Sequence, residues 1–124
     1  MAFNHTSSDG SETRYIYVNY VDGGGDNHMG VNNGVSSTTD HGTGDFTVNF
    51  SNNFDNANYA FFQGCSSENT NGNRGANGCN VKDPNDKVVG SCRVASYYGS
   101  TGSGSNGAFT SCKTTTMAFI GHLA

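Results

Sequence analysis

The chain of 124 residues has no tryptophan, one leucine and one proline, and only 13% of its residues are charged. Leucine, alanine, glutamate and lysine favour helices, so their scarcity argues against a helical protein. The low charge argues against a highly charged disordered chain. Eight phenylalanines and six tyrosines, together with valines and threonines, favour strands and supply the large side chains of a thin core. Composition therefore predicts an all-β protein.

Three further features are missing from the sequence. Their absence argues against nucleic-acid binding, a membrane span and export, in turn. The six lysines and arginines are scattered and the net charge is −4, so no basic patch for nucleic acid is expected. No run of ~20 apolar residues occurs, so no membrane span is expected. The N-terminal sequence lacks the basic and apolar regions of a secretory signal, so we expect no Sec-type export.

The clearest strand signal lies in residues 35–60. Phe46, Val48 and Phe50 alternate with polar residues, as in a strand buried on one face, and the turn sequence DHGTGD precedes them. About seven or eight such short strands, separated by turn signals, predict a small antiparallel β-sandwich of jelly-roll type with long polar loops. We expect one domain over residues 13–124, preceded by an N-terminal arm or short strand at residues 1–12.

Two other segments carry expectations about surfaces. Residues 14–21, RYIYVNYV, have bulky side chains on both faces, which indicates burial on both sides or contact with a second subunit. Residues 66–86 are rich in turn formers and predict a long loop, and residues 99–107 predict a second one. We expect both loops to face outward. Beside the second loop, Tyr97 and Tyr98 are candidate receptor-facing residues, although a structural role is the simpler interpretation.

The four cysteines have no CxxC spacing, so a zinc site is not expected. Four cysteines allow three disulfide connectivities. Cys92 and Cys112 flank a predicted hairpin and are one candidate pair, which leaves Cys65 and Cys79 as the other. The alternative is that all four are buried thiols.

No cluster of residues in the sequence predicts catalysis or a cofactor. The histidines do not form an HxH or HExxH motif, and the aspartates do not have EF-hand spacing. No nucleophile elbow or phosphate loop has the strand and helix that it requires. We therefore expect no enzyme activity and no cofactor. The histidines and aspartates that could be metal ligands or catalytic groups, but lack such spacing, are His5, His28, His41 and His122, and Asp22, Asp26, Asp40, Asp45 and Asp55.

The central sequence resembles a small β domain of bacteriophage virion proteins, often found at the distal end of tail-fibre-like polypeptides. The residues that carry this resemblance are YVNY and the following DGGG at 17–25, VSSTTDHGTGDFTVNF at 35–50, and DANY-like DNANYA at 55–60. A weaker likeness extends over the closing strands to residue 121. The loop at 66–86 departs from the family pattern.

The resemblance implies a virion structural protein, either a capsid decoration or head-fibre protein or a tail-fibre tip. It also implies a homotrimer that contacts other virion proteins and, at a tip, a host surface glycan. The protein would be assembled in the host cytoplasm and located on the particle surface. The alternative that composition leaves open is a carbohydrate-binding module, with or without calcium.

Overall fold

The structure is a computed structural model that describes residues 3–21, 28–65, 76–99, 108–109 and 114–124. These residues form strands and one short 3₁₀ helix at Pro84–Asp86. The strands are β1 (Phe3–Thr6), β2 (Glu12–Val21), β3 (His28–Asn33), β4 (Val35–Gly42), β5 (Asp45–Phe50), β6 (Ala60–Cys65), β7 (Ala76–Val81), β8 (Lys87–Val88), β9 (Ser91–Gly99), β10 (Ala108–Phe109) and β11 (Thr114–His122).

The strands form two antiparallel sheets, which confirms the predicted all-β sandwich. The first sheet, called sheet A below, has the order β1-β2-β11-β6, with β3 also paired to β2. The second, sheet B, has the order β10-β9-β5-β4, with β7 and β8 also paired to β9. Eight strands have six residues or more, which agrees with the predicted number, and the short strands β1, β8 and β10 bring the total in the described residues to eleven.

The hairpin of β4 and β5 follows the sequence signal directly. Gly42 and Gly44 have φ of 119° and 65°, in the region that favours glycine, and they flank the tip of the hairpin. Phe46, Val48 and Phe50 are buried, and the residues between them face outward. The alternation of apolar and polar residues therefore sets which face of β5 enters the core.

The core lies between the two sheets and is richest in aromatic side chains at one end. The rings of Phe54 and Tyr59 stack with centroids 4.5 Å apart, and Phe50 contacts Phe119 edge to face at 5.0 Å. The Tyr59 hydroxyl lies 3.2 Å from the carbonyl oxygen of Val88 in β8 and 3.0 Å from that of Ser91 in β9, and it donates to them. The connection between β5 and β6 thus contributes a core residue, Phe54.

The structure revises one prediction about a loop and describes two other segments. Residues 76–86 were predicted to be loop, but they form β7 and the 3₁₀ helix, because β7 pairs with β9 despite its turn-forming composition. Residues 87–99 form a hairpin, with a turn at residues 89–90 between β8 and β9. Residues 1–12 were expected to be an arm or a short strand, and the described part contains such a strand, β1, which pairs with β2. Residues 66–75 and 100–107 lie outside the described residues.

Candidate functional site

Sheet A exposes an apolar surface on the side away from the core. Tyr15 and Tyr17 are each 43% exposed, and Phe62 is 58% exposed. Together with smaller residues on the same side they form what we call the apolar face. Its members are Tyr15, Tyr17, Ala60, Phe62, Ala118 and Ile120.

Strand register brings the six residues of the apolar face together. In one row, Tyr17 is opposite Ala118, which is opposite Phe62 on the other side. In the next row, Tyr15, Ile120 and Ala60 are opposite one another in the same way. Neighbouring strands lie ~4.8 Å apart, so the two rows make one continuous patch about three strands wide. In the first row, the small side chain of Ala118 lies between the positions of two aromatic residues.

The sequence predicted the positions of two of the six residues of this face. The pattern of residues 14–21 indicated that Tyr15 and Tyr17 share a side, and the structure places that side away from the core. The contribution of Phe62 could not be predicted, because it depends on β6 pairing with β11 rather than on a local pattern. None of the six residues carries a charge at neutral pH, whereas the chain has a net charge of −4.

The outer side of sheet B is polar and differs sharply from the apolar face. Asn49 donates through Nδ2 to the hydroxyl oxygens of Ser37 at 3.0 Å and Thr39 at 3.1 Å. The hydroxyl of Thr47 contacts Nε2 of His41 at 2.9 Å. We call this side of sheet B the polar face. Its side chains are held to one another by hydrogen bonds rather than by packing.

An ion-pair cluster lies at the centre of the polar face. Arg93 donates through Nε and Nη2 to the two carboxylate oxygens of Asp45, at 2.8 and 2.9 Å, and Lys82 binds the same carboxylate. The Asp45 side chain is only 12% exposed. Hydrogen bonding to Arg93, reinforced by Lys82, lowers the pKa of Asp45 to about 2 against the opposing effect of burial. Asp45 is therefore ionised at neutral pH, and both of its oxygens are engaged.

The two candidate receptor-facing tyrosines lie near the end of β9. Tyr97 is 38% exposed and follows Arg93 by four residues, on the same side of the strand. Only the backbone of Tyr98 is described, and it pairs with Ala108. The receptor-facing role of both residues stays a prediction.

The structure describes the cysteines in part. Cys79 and Cys92 are buried, free thiols on different strands of sheet B. Burial raises the pKa of the Cys92 thiol to about 11, so it is protonated at neutral pH. Cys112 lies outside the described residues, and only the backbone of Cys65 is described. The two candidate pairings, Cys92 with Cys112 and Cys65 with Cys79, stay predictions.

The residues considered for metal binding do not come together where they are described. In the ranges given above, no three His, Cys, Asp or Glu side chains form a group that could hold a metal ion. The Asp40 carboxylate accepts a hydrogen bond from the backbone N–H of Gly42, as in a turn. Asp22 and Asp26 lie outside the described residues. Among the described residues, no helix has the length and apolar character that crossing a bilayer requires.

Besides Asp45, the sequence interpretation missed a second buried charged residue, Arg14. It lies on the inner side of β2, in phase with Ile16 and Val18. When the Asn52 amide is oriented to satisfy its neighbours, its carbonyl oxygen accepts hydrogen bonds from Arg14 Nη1 at 2.7 Å and Nη2 at 3.0 Å. The alternation of RYIYV already placed Arg14 on the inner face, and this was the signal that could have identified it.

No family model, no curated protein and no solved structure matches the chain.

Proposed function

We propose that this chain is a structural protein of the bacteriophage particle surface, and that three copies assemble through the apolar face. The observation that carries the proposal is the cluster of exposed aromatic and aliphatic side chains on sheet A. Contiguous exposed apolar patches are typical of protein interaction sites. The sequence resemblance to phage virion domains supports a location on the phage particle. The apolar face supports assembly of several copies.

Burial of this face would stabilise an assembly. Transfer of a large apolar side chain out of water contributes roughly 1.5–3 kcal/mol, and Tyr15, Tyr17 and Phe62 remain about half exposed in the single chain. Tyrosine is also enriched among the residues that dominate binding energy at interfaces, and phenylalanine is enriched in interface cores. Tyr15, Tyr17 and Phe62 are therefore residue types that are typical of the centre of an interface.

The lack of charge on this face allows a second copy of this chain to be the occupant. Each copy has a net charge of −4, so contact between most pairs of surfaces brings like charges together. The apolar face is uncharged, and it allows copies to approach with less repulsion. Polar residues next to it, Thr13 and Thr116 within sheet A and His122 at the end of β11, would form the rim.

The size of the face limits what it contributes. A stable interface buries about 800 Å² on each partner, which exceeds two rows of side chains on three strands. The apolar face is thus the centre of a larger contact, and neighbouring edges complete it. In a trimer the three faces would surround the threefold axis, so that each copy contacts two others.

The same arrangement would leave the polar face directed away from the axis. In that position it is available to other virion proteins or to the host surface, as the resemblance implies for capsid decorations and for fibre tips. We propose assembly in the host cytoplasm, location on the particle surface, and a passive role without catalysis.

Analysis of purified particles tests the location. The experiment uses phage particles from a host that produces this chain, purified by density gradient and examined by mass spectrometry and by immunogold electron microscopy. We expect the chain in the particle fraction and gold at regular surface positions on the head or the tail. Recovery of the chain only in the soluble lysate, with unlabelled particles, would contradict a virion role.

A further inference from the structure

A cleft of about 230 Å³ opens on the polar face of sheet B, whereas the apolar face belongs to sheet A. Its floor is formed by the hydroxyl groups of Thr47 and Ser91 and by Arg93, from the adjacent strands β5 and β9. His41, from the end of β4, contributes one wall. Asp86 and Val88 contribute the opposite wall, from the 3₁₀ helix and β8.

The polar groups of the cleft are held in position before any ligand arrives. Both oxygens of Asp45 engage Arg93 through Nε and Nη2, which fixes the plane of the guanidinium group and leaves Nη1 outside the ion pair. The contact of 2.9 Å between His41 Nε2 and the Thr47 hydroxyl fixes the imidazole ring. Groups restrained in this way lose little conformational freedom on binding, so even a small ligand could be held by them.

The chemistry of the lining selects an uncharged ligand rich in hydroxyl groups. Arg93 is a donor, Asp86 is an acceptor, and the two hydroxyl groups and His41 serve as either. The positive charge of Arg93 is already opposed by Asp45, and the carboxylate of Asp86 would repel an anion. Val88, which is 45% exposed, adds an apolar surface for C–H groups.

We propose that this cleft binds one ring of a neutral saccharide. A sugar ring presents closely spaced hydroxyl groups that both donate and accept, and one apolar C–H side, which matches the mixture of groups in the cleft. The volume lies below the ~300 Å³ at which pockets for drug-sized ligands begin, so one ring is bound rather than a longer segment. The inference concerns sheet B alone and does not depend on assembly through sheet A.

Nuclear magnetic resonance titration of the full chain tests the proposal. The probes are glucose, galactose, mannose and N-acetylglucosamine, each added to roughly 100 mM because an open site of this size is expected to bind at about 1 mM or more weakly. We expect at least one sugar to shift backbone amide resonances of His41, Thr47, Ser91 and Arg93 in a saturable way. The absence of saturable shifts with all four sugars, or shifts confined to other regions, would overturn the proposal.

Two variants with matched chemistry make the test specific. His41→Ala removes one wall of the cleft and is expected to weaken binding by about tenfold. His5→Ala makes the same change at an exposed position of β1 on sheet A, and it is expected to leave binding unchanged. Equal affinity in wild type and His41→Ala would overturn the proposal. His41 and His5 are both exposed, and the spectra report whether each variant is folded. Tighter binding of an acidic sugar such as glucuronate would overturn the assignment to neutral saccharides.

Discussion

The substitution Asp45→Asn removes the negative charge at the centre of the polar face and leaves two cations without their shared partner. In the folded protein Asp45 binds Arg93 and Lys82, and its pKa falls from 3.8 to about 2. Each unit of pKa difference corresponds to ~1.36 kcal/mol. Because the side chains of Arg93 and Lys82 are about a third exposed, solvent screens part of this interaction. We expect the free energy of unfolding to fall by about 2 kcal/mol at pH 7.

The dependence on pH follows from the direction of the shift. The folded pKa of Asp45 lies below its unfolded value, so the contribution is fully present above about pH 4 and is lost as the pH falls toward 2. The wild type and Asp45→Asn should therefore differ at pH 7 and converge near pH 2. Urea unfolding at several pH values and one fixed protein concentration measures the difference.

Asp9→Asn is the control for a general effect of removing a carboxylate. Asp9 is exposed, and its pKa is lowered mainly by the hydrogen bonds that it accepts from Ser11. Its substitution should cost less than Asp45→Asn. A difference at pH 7 below about 0.5 kcal/mol for Asp45→Asn, or a difference that persists unchanged near pH 2, would refute the assigned role of the ion-pair cluster.

Two further substitutions test the core. Gly121→Ala would place a Cβ 2.7 Å from Cβ of Tyr59 and 2.9 Å from Cδ1 of Phe54, so we expect a loss of about 1–3 kcal/mol in urea unfolding. Gly64→Ala, where a Cβ meets open space, should be near neutral, and equal losses in both variants would contradict the packing described. Tyr59→Phe removes a hydroxyl that donates to two backbone carbonyl groups and should cost about 1 kcal/mol, whereas the exposed Tyr97→Phe should cost little. Thermal unfolding followed by circular dichroism measures this pair, and equal midpoints would argue against the buried hydrogen bonds.

Local patterns predicted the elements that are buried on one side. In β5 and β2 the alternation of side chains sets both the strand and its inner face, because one face of each must enter the core. The prediction was wrong for β7, where ANGCNV reads as a turn sequence. That strand exists because it pairs with β9 over its whole length, and such pairing between distant segments overrides weak local preference.

The difference between local patterns and pairing of distant strands also explains what could be predicted of the apolar face and the polar face. Tyr15 and Tyr17 lie two residues apart on one strand, so their shared side was visible in the sequence. Asp45 was assigned to a turn, but Arg93 is 48 residues further along the chain, and their pairing depends on the register of β5 with β9. His41 and Asp86 meet at one cleft for similar reasons of topology. Sites assembled across strands therefore required the structure.

The native mass of the purified protein tests assembly through the apolar face most directly. Light scattering would be carried out at micromolar concentration on the wild type, on Phe62→Ser and on Val89→Ser, with and without a chelator. Val89 is the control, since it is also exposed and apolar but lies in the turn before β9. We expect the wild type and Val89→Ser to have three times the 13.0 kDa mass of the chain, independent of the chelator, and Phe62→Ser to dissociate. A monomeric wild type, or a trimer that Phe62→Ser leaves intact, would contradict assembly through this face.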